Sequence, residues 1–173
     1  NGWYRCPRTP EAFAQAAIKA VGMGYTALKF DPFGTALSIL SPAEEALSLD
    51  LVAAVREAVG DQVELAIEAH SRFNTATAIR IGRLLEPYRP AWFEEPVHHG
   101  NIQATVEVAR QVPVPVATGE SLSSKHQLAE LLRYDAIGIL NVEPLHMNGI
   151  LGTRKAADIT VPANKSGIGK IQV

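Results

Sequence analysis

Glu68, Glu94 and Glu120 recur at intervals of 26 residues, and each stands where a short apolar run gives way to a loop. One strand, one helix and two loops consume a stretch of that length. If strand and helix alternate, the three carboxylates reach the same end of three neighbouring parallel strands and converge on one point. With no Lys or Arg beside them, converging carboxylates repel one another unless a hard divalent cation neutralises them. An all-oxygen donor set of this kind suits Mg²⁺. The spacing by itself proposes a metal site.

Such a site needs a repeating βα unit, and the Gly and Pro punctuation cuts the chain into one. Pro10 to Val21 is Ala-rich and helical in pattern, with Thr9 as N-cap and Pro10 at the first helical position. Gly22 and Gly24 end it, and Tyr25 to Asp31 reads as a strand closed by Pro32. Ser41-Pro42-Ala43-Glu44 opens the next helix with a proline and a capping-box glutamate, and that helix runs to Gly60. Further strands are predicted at Val63 to Ala66, Ala91 to Phe93, Pro113 to Ala117 and Ala136 to Leu140, with helices over about 74–86, 101–111, 124–133 and 149–157. The strands are short apolar runs without alternation, as required when both faces of a parallel sheet are buried.

Polar residues recur at the end of each successive strand: Lys29 and Asp31, Glu68 and His70, Glu94 and Glu95, Glu120, and Glu143. A barrel gathers all of these on one rim, whereas an open doubly wound sheet concentrates its site at one switch point. The expected fold class is therefore α/β, a TIM-type (β/α) barrel. A closed barrel takes eight strands and about 250 residues. Five complete strands plus a possible remnant at Asn1-Gly2-Trp3-Tyr4 predict a partial barrel lacking the last strands.

Composition excludes several classes. At 173 residues, with 47% hydrophobic and 20% charged residues, the chain suits one buried globular domain. A formal net charge of −2 and the lack of a basic, aromatic-interleaved run argue against nucleic acid or an anionic membrane as partner. No apolar stretch approaches the roughly 18 residues of a membrane span. The single Cys6 excludes an internal disulfide framework and fits a reducing compartment, so a cytoplasmic, soluble protein is expected.

The segments Lys29-Phe30-Asp31-Pro32-Phe33-Gly34, Glu68-Ala69-His70, Trp92-Phe93-Glu94-Glu95-Pro96, Gly119-Glu120 and Glu143-Pro144-Leu145-His146-Met147-Asn148-Gly149 resemble the catalytic barrel of the enolase superfamily. The mandelate racemase branch, and within it acid-sugar dehydratases of the galactonate type, are the most similar. The resemblance covers residues 1–157 as a partial barrel domain and leaves 158–173 as a divergent or truncated tail. It implies a lyase in which Glu68, Glu94 and Glu120 hold one Mg²⁺ that stabilises an enediolate once the α-proton of a small hydroxy acid has left. It also implies a homo-oligomer for the full-length relatives, and an N-terminal capping domain, absent here, that closes the substrate pocket.

His70 follows Glu68 by two positions, so on a strand it shares that face. The resemblance makes it the general acid that protonates the departing hydroxyl; the alternative is a structural histidine. Lys29 and Asp31 also share a face. The racemase type carries a second lysine where this chain has Asp31, which argues against two-base racemisation. Lys29 is then a charge partner for substrate or for the carboxylates, or a structural ion pair, and Asp31 a substrate contact. Arg72 and Asn74 are candidates for contacting substrate oxygens, or loop residues. Glu95 is expected to support Glu94 and Lys29 from behind. Glu143 matches an aspartate that orients a histidine base about 27 residues on, where this chain has Lys170, so no base is identifiable. His146 is expected to be structural. His98 and His99 lack zinc-ligand spacing, and Val21-Gly22-Met23-Gly24 precedes a strand, unlike a dinucleotide fingerprint. Besides a dehydratase, the readings left open are an inactive fragment retaining a metal site and a racemase or cycloisomerase of the same architecture.

Overall fold

The computed structural model describes residues 3–163 and 171–172. In chain order it contains α1 (Pro10–Gly22), β1 (Ala27–Phe30), α2 (Pro42–Val59), β2 (Glu64–Glu68), α3 (Thr75–Leu84), a 3₁₀ turn (Glu86–Tyr88), β3 (Trp92–Glu94), α4 (Ile102–Gln111), β4 (Val116–Thr118), α5 (Lys125–Leu132), β5 (Ile139–Asn141), α6 (Gly149–Ala163) and β6 (Ile171–Gln172). All five strand pairings are parallel, and the order across the sheet is β1-β2-β3-β4-β5-β6. Sequential order has no switch point. Right-handed crossovers then place every helix on one face and leave the other to become the inside of a barrel.

The register shows both faces. Leu28, Phe30, Leu65, Ile67, Phe93, Val116 and Leu140 belong to the main core beneath the helices. Ala66, Trp92, Ala117 and Ile139 form a separate apolar cluster on the helix-free side. Lys29 pairs with Ala66, Ala66 with Trp92, and Glu68 with Glu94, so these polar residues rise from the helix-free face.

Helix starts follow the expected chemistry: the Thr9 and Ser41 hydroxyls accept from Ala12 N and Glu44 N, each just before a proline. Glu44 makes no capping box and instead pairs with Arg8 at 3.0 Å. Most strands begin later than their apolar runs, because Tyr25, Pro113 and Ala136 lie in the turns that lead into them. The tail boundary at 157/158 is not a structural break, since α6 crosses it and ends at Ala163. Beyond it, β6 pairs with Leu140 and Asn141 of β5 and supplies a strand that the sequence pattern missed. Trp3 and Tyr4 form a turn rather than a strand. There the Trp3 indole donates to Lys29 O at 2.9 Å and packs edge-on against Phe30. Among the described residues no helix is long and apolar enough to cross a membrane.

Candidate metal and catalytic site

Glu68 and Glu94 are the last residues of β2 and β3, and Glu120 follows β4 by two positions. One carboxylate oxygen from each lies within 4.8 Å of the others. Glu68 and Glu94 are buried, at 3% and 1% exposure, while Glu120 is half-buried and its carboxylate has no hydrogen-bond partner among the described residues.

The expectation that no cation lies beside these carboxylates is corrected. Lys29 Nζ stands 2.7 Å from Glu94 Oε1 and 3.1 Å from Glu68 Oε2. It is far away in the chain but stands on the strand beside β2 in the sheet. Two further donors hold the pair: Trp92 Nε1 gives a 2.7 Å bond to Glu94 Oε2, and His70 N a 2.9 Å bond to Glu68 Oε1. Trp92 went unnoticed in the sequence, although it lies two residues before Glu94 on one strand face.

Burial, and then the charge of Glu94, push the Glu68 carboxyl up to about 7, against the opposing pull of the His70 N–H and Lys29. Burial opposes the charge on Lys29, but its hydrogen bond to Glu94 and the charges of Glu68 and Glu94 outweigh burial and raise its pKa. In metal-free protein the Glu68 contribution to stability is complete below the ordinary carboxylate value. It is lost as pH rises through about 7, because the unfolded chain ionises this group more readily than the folded one. Urea unfolding in chelator is therefore expected to show Glu68→Gln removing part of the stability decline between pH 5 and pH 8; parallel wild-type and variant pH profiles would contradict this.

His70 is not on the strand. β2 ends at Glu68, and the chain turns through two left-handed residues, His70 (φ 52°) and Ser71 (φ 58°), so spacing along a strand does not aim the imidazole. Its Nδ1 lies 2.9 Å from Asp31 Oδ2. A carboxylate only accepts, so Nδ1 carries the proton, and Nε2 has no hydrogen-bond partner among the described residues. The side chain is 56% exposed.

Asp31 and Arg72, expected as substrate contacts, each already have partners within the chain. The Asp31 carboxylate takes Phe33 N at 2.9 Å, His70 and an Arg72 ion pair, and Arg72 also donates to Ala69 O and Gly34 O at 2.7 and 2.8 Å. Asn74 caps α3, its Oδ1 accepting from Thr77 N at 2.8 Å. Glu95 bonds to neither Glu94 nor Lys29; its partners are Ser71, Thr118 and Gly119. Glu143 accepts from Leu145 N in its own loop at 3.1 Å. His146 lies one further 26-residue interval beyond Glu120, and its Nδ1 donates to Glu120 O at 2.6 Å. His98 and His99 stack in the loop after β3. Lys170 lies outside the described residues.

Gly119 aims Glu120. Its φ is +124°, and a Cβ there would meet Asn141 O at 2.6 Å and Leu140 Cδ1 at 2.9 Å. Gly119→Ala combines a disfavoured backbone with a clash against β5, and is expected to cost about 3 kcal/mol, read as a lower denaturant midpoint at unchanged m-value. An unchanged midpoint would show that β4 and β5 can separate freely here.

The residues fit a divalent cation. Three hard oxygen donors converge, one of them has no partner, and the ammonium of Lys29 already demonstrates that the other two stabilise positive charge. Octahedral Mg²⁺ holds its ligands at about 2.0–2.1 Å, putting its ligand oxygens roughly 3–4 Å apart, which fits three oxygens that lie within 4.8 Å of one another.

Comparison with known proteins agrees with this geometry. The family model described as enolase C-terminal domain-like matches residues 12–166. The D-gluconate dehydratase of Thermoproteus tenax is 38% identical over 157 residues, spanning 91% of this chain and 32% of that protein. The D-gluconate/D-galactonate dehydratase of Picrophilus torridus is 33% identical over 92% of this chain and 41% of that protein. The chain thus spans a third to two fifths of the length of these relatives. Among solved structures, a mandelate racemase/muconate lactonizing enzyme-like protein from Roseovarius sp. TM1035 superposes with a TM-score of 0.85 at 36% identity, covering 98% of this chain and 42% of that one. A member of the enolase superfamily from Salmonella Typhimurium gives 0.86 at 28% identity, covering 94% and 43%. With the sequential parallel strands, the carboxylates at their ends and a family model matching most of its length, the chain belongs to the enolase C-terminal domain-like family, whose fold is a TIM-type barrel.

Proposed function

We propose that the protein contributes the barrel site of a Mg²⁺-dependent dehydratase acting on an acid sugar. The observation that carries this reading is the convergence of Glu68, Glu94 and Glu120 within 4.8 Å at the ends of neighbouring strands. Its relatives that dehydrate gluconate and galactonate supply the reaction class. Glu68, Glu94 and Glu120 would hold the cation. When bound there, Mg²⁺ supplies positive charge that polarises the substrate carboxylate and acidifies the adjacent C–H.

Among the chain's own residues Lys29, Asp31 and His70 serve the substrate carboxylate and the leaving hydroxyl, while the α-proton passes to a base that is not one of them. Lys29, 28% exposed beside two of the carboxylates, adds positive charge at the mouth for the substrate carboxylate. Asp31, held by Arg72, fixes the His70 ring through Nδ1 and leaves Nε2 without a partner among the described residues. In its doubly protonated form His70 gives its Nε2 proton to the departing β-hydroxyl, which leaves as water. Asp31, tied to Arg72 and His70, stands where the racemase type carries its second lysine, which supports dehydration over racemisation. A small hydroxy-acid substrate and a cytoplasmic setting belong to the same reading.

The test is keto-acid formation from D-gluconate, D-galactonate and D-xylonate, with Mg²⁺ and then with excess EDTA. Product that disappears with EDTA is expected. Absence of product from all three by metal-saturated protein would reject the assignment to these acid sugars.

A further inference from the structure

Directly after Glu94 stands a carboxylate that no cation touches among the described residues. Glu95 is 1% exposed, with φ +43°. Its Oε1 accepts from Thr118 Oγ1 at 2.7 Å and from Gly119 N at 2.9 Å, and its Oε2 accepts from Ser71 Oγ at 2.7 Å. Its backbone reaches the same two segments: Glu95 N donates to Ala117 O at 2.9 Å, and Ser71 N donates to Glu95 O at 2.7 Å. A buried carboxylate without a counter-ion is costly unless its oxygens are satisfied by hydrogen bonds. Here three donors satisfy it, drawn from the turn after β2 and from the end of β4 with the glycine that follows it.

Both tethered residues adjoin a candidate functional one. Gly119 precedes Glu120, and Ser71 follows His70. Gly119 has the widest backbone freedom of any residue type, so the direction of Glu120 depends on what holds the Gly119 amide, and Glu95 holds it. We propose that Glu95 is a positioning residue: a clamp behind Glu94 that fixes Glu120 on one side and the His70 turn on the other, so that the three metal-binding carboxylates converge. This rests on the metal reading above and adds a residue whose side chain bonds to none of the three.

Three variants and two readouts test it. One readout is hydrogen exchange of the Gly119 amide in metal-free protein. The other is Mn²⁺ affinity measured by electron paramagnetic resonance without substrate. Glu95→Ala is expected to speed Gly119 exchange at least about tenfold and to weaken Mn²⁺ binding about 10- to 100-fold. Glu95→Gln can keep its oxygen on Thr118 and Gly119 while its amide donates to Ser71 Oγ, which is able to accept, so both readouts should return to within about threefold of wild type. A merely space-filling role would move neither readout, and a role for the charge itself would leave Gln as damaged as Ala; either result overturns the clamp. If Glu95→Ala does not fold, Thr118→Val removes one donor to the same oxygen, and wild-type exchange and affinity in it overturn the proposal. Wild-type protein that binds no Mn²⁺ would sink the metal reading instead, leaving Gly119 exchange to decide whether the clamp exists.

Discussion

His70→Asn is expected to lower turnover of an acid-sugar substrate by roughly 10²- to 10⁴-fold, the range for losing a positioned general acid, while changing cation affinity less than threefold. Asparagine is the suitable replacement because His70 sits at φ 52°, and Asn tolerates the left-handed region better than most residues. The bond that serves the metal site is the backbone amide of His70 to Glu68 Oε1, and a side-chain change leaves it in place. The proton donor can thus be removed with little disturbance to the carboxylates. Asp31→Asn supplies the control: it breaks the Arg72 ion pair and permits either imidazole tautomer, so a loss smaller than that of His70→Asn is expected. Steady-state kinetics with Mg²⁺ saturating read both variants. Unimpaired turnover in His70→Asn would move the acid role elsewhere.

Glu94→Gln is expected to weaken Mg²⁺ binding by on the order of a hundredfold, since affinity at such sites follows the number of charged oxygen ligands. This carboxylate is held on both oxygens, by Lys29 on Oε1 and Trp92 on Oε2. An amide there must turn its NH₂ toward one of these two donors, so the variant loses a bond as well as a charge. Against that, removing the Glu94 charge relieves the neighbour whose repulsion helps to hold the Glu68 carboxyl near 7. The two effects oppose each other in the metal-free protein, so its stability should change much less than its cation affinity. Calorimetric titration with Mg²⁺ alongside urea unfolding in EDTA separates them. Equal Mg²⁺ affinity for wild type and Glu94→Gln would show that the three glutamates are not the binding site.

The carboxylate trio was legible in the sequence because βα units of equal length convert a linear interval into a lateral neighbour relation. Proline and glycine punctuation located the helices for a related reason: caps and stops are local chemistry, as the Thr9, Ser41 and Asn74 caps demonstrate. What escaped were features decided across strands or inside turns. Lys29 reads from the sequence as a charge partner for substrate or carboxylates, but that it reaches both Glu68 and Glu94 is decided by sheet register. Glu95 finds Ser71 in the turn after β2 and Thr118 at the end of β4. The two successive left-handed residues after β2 take His70 off the strand, which defeats any rule based on alternating faces. β6 pairs through two residues in a segment without an apolar run, too little pattern to be read in advance.

The uninterrupted strand order also says something about how the chain comes together. Among the described residues every strand pairs only with its predecessor and successor, so each pairing joins segments one βα unit apart and closes a comparatively short loop. Closure entropy grows slowly with loop length, so no single pairing is a distinct bottleneck and units can be added one after another. The carboxylate cluster is an exception to this locality: it is finished only when three consecutive units, ending at Glu120, have docked together. A cation captured at that point would bind a late, nearly native arrangement rather than the open chain. Its stabilisation would then fall chiefly on the unfolding rate, making the ion a kinetic lock on the middle of the sheet more than a seed for its formation.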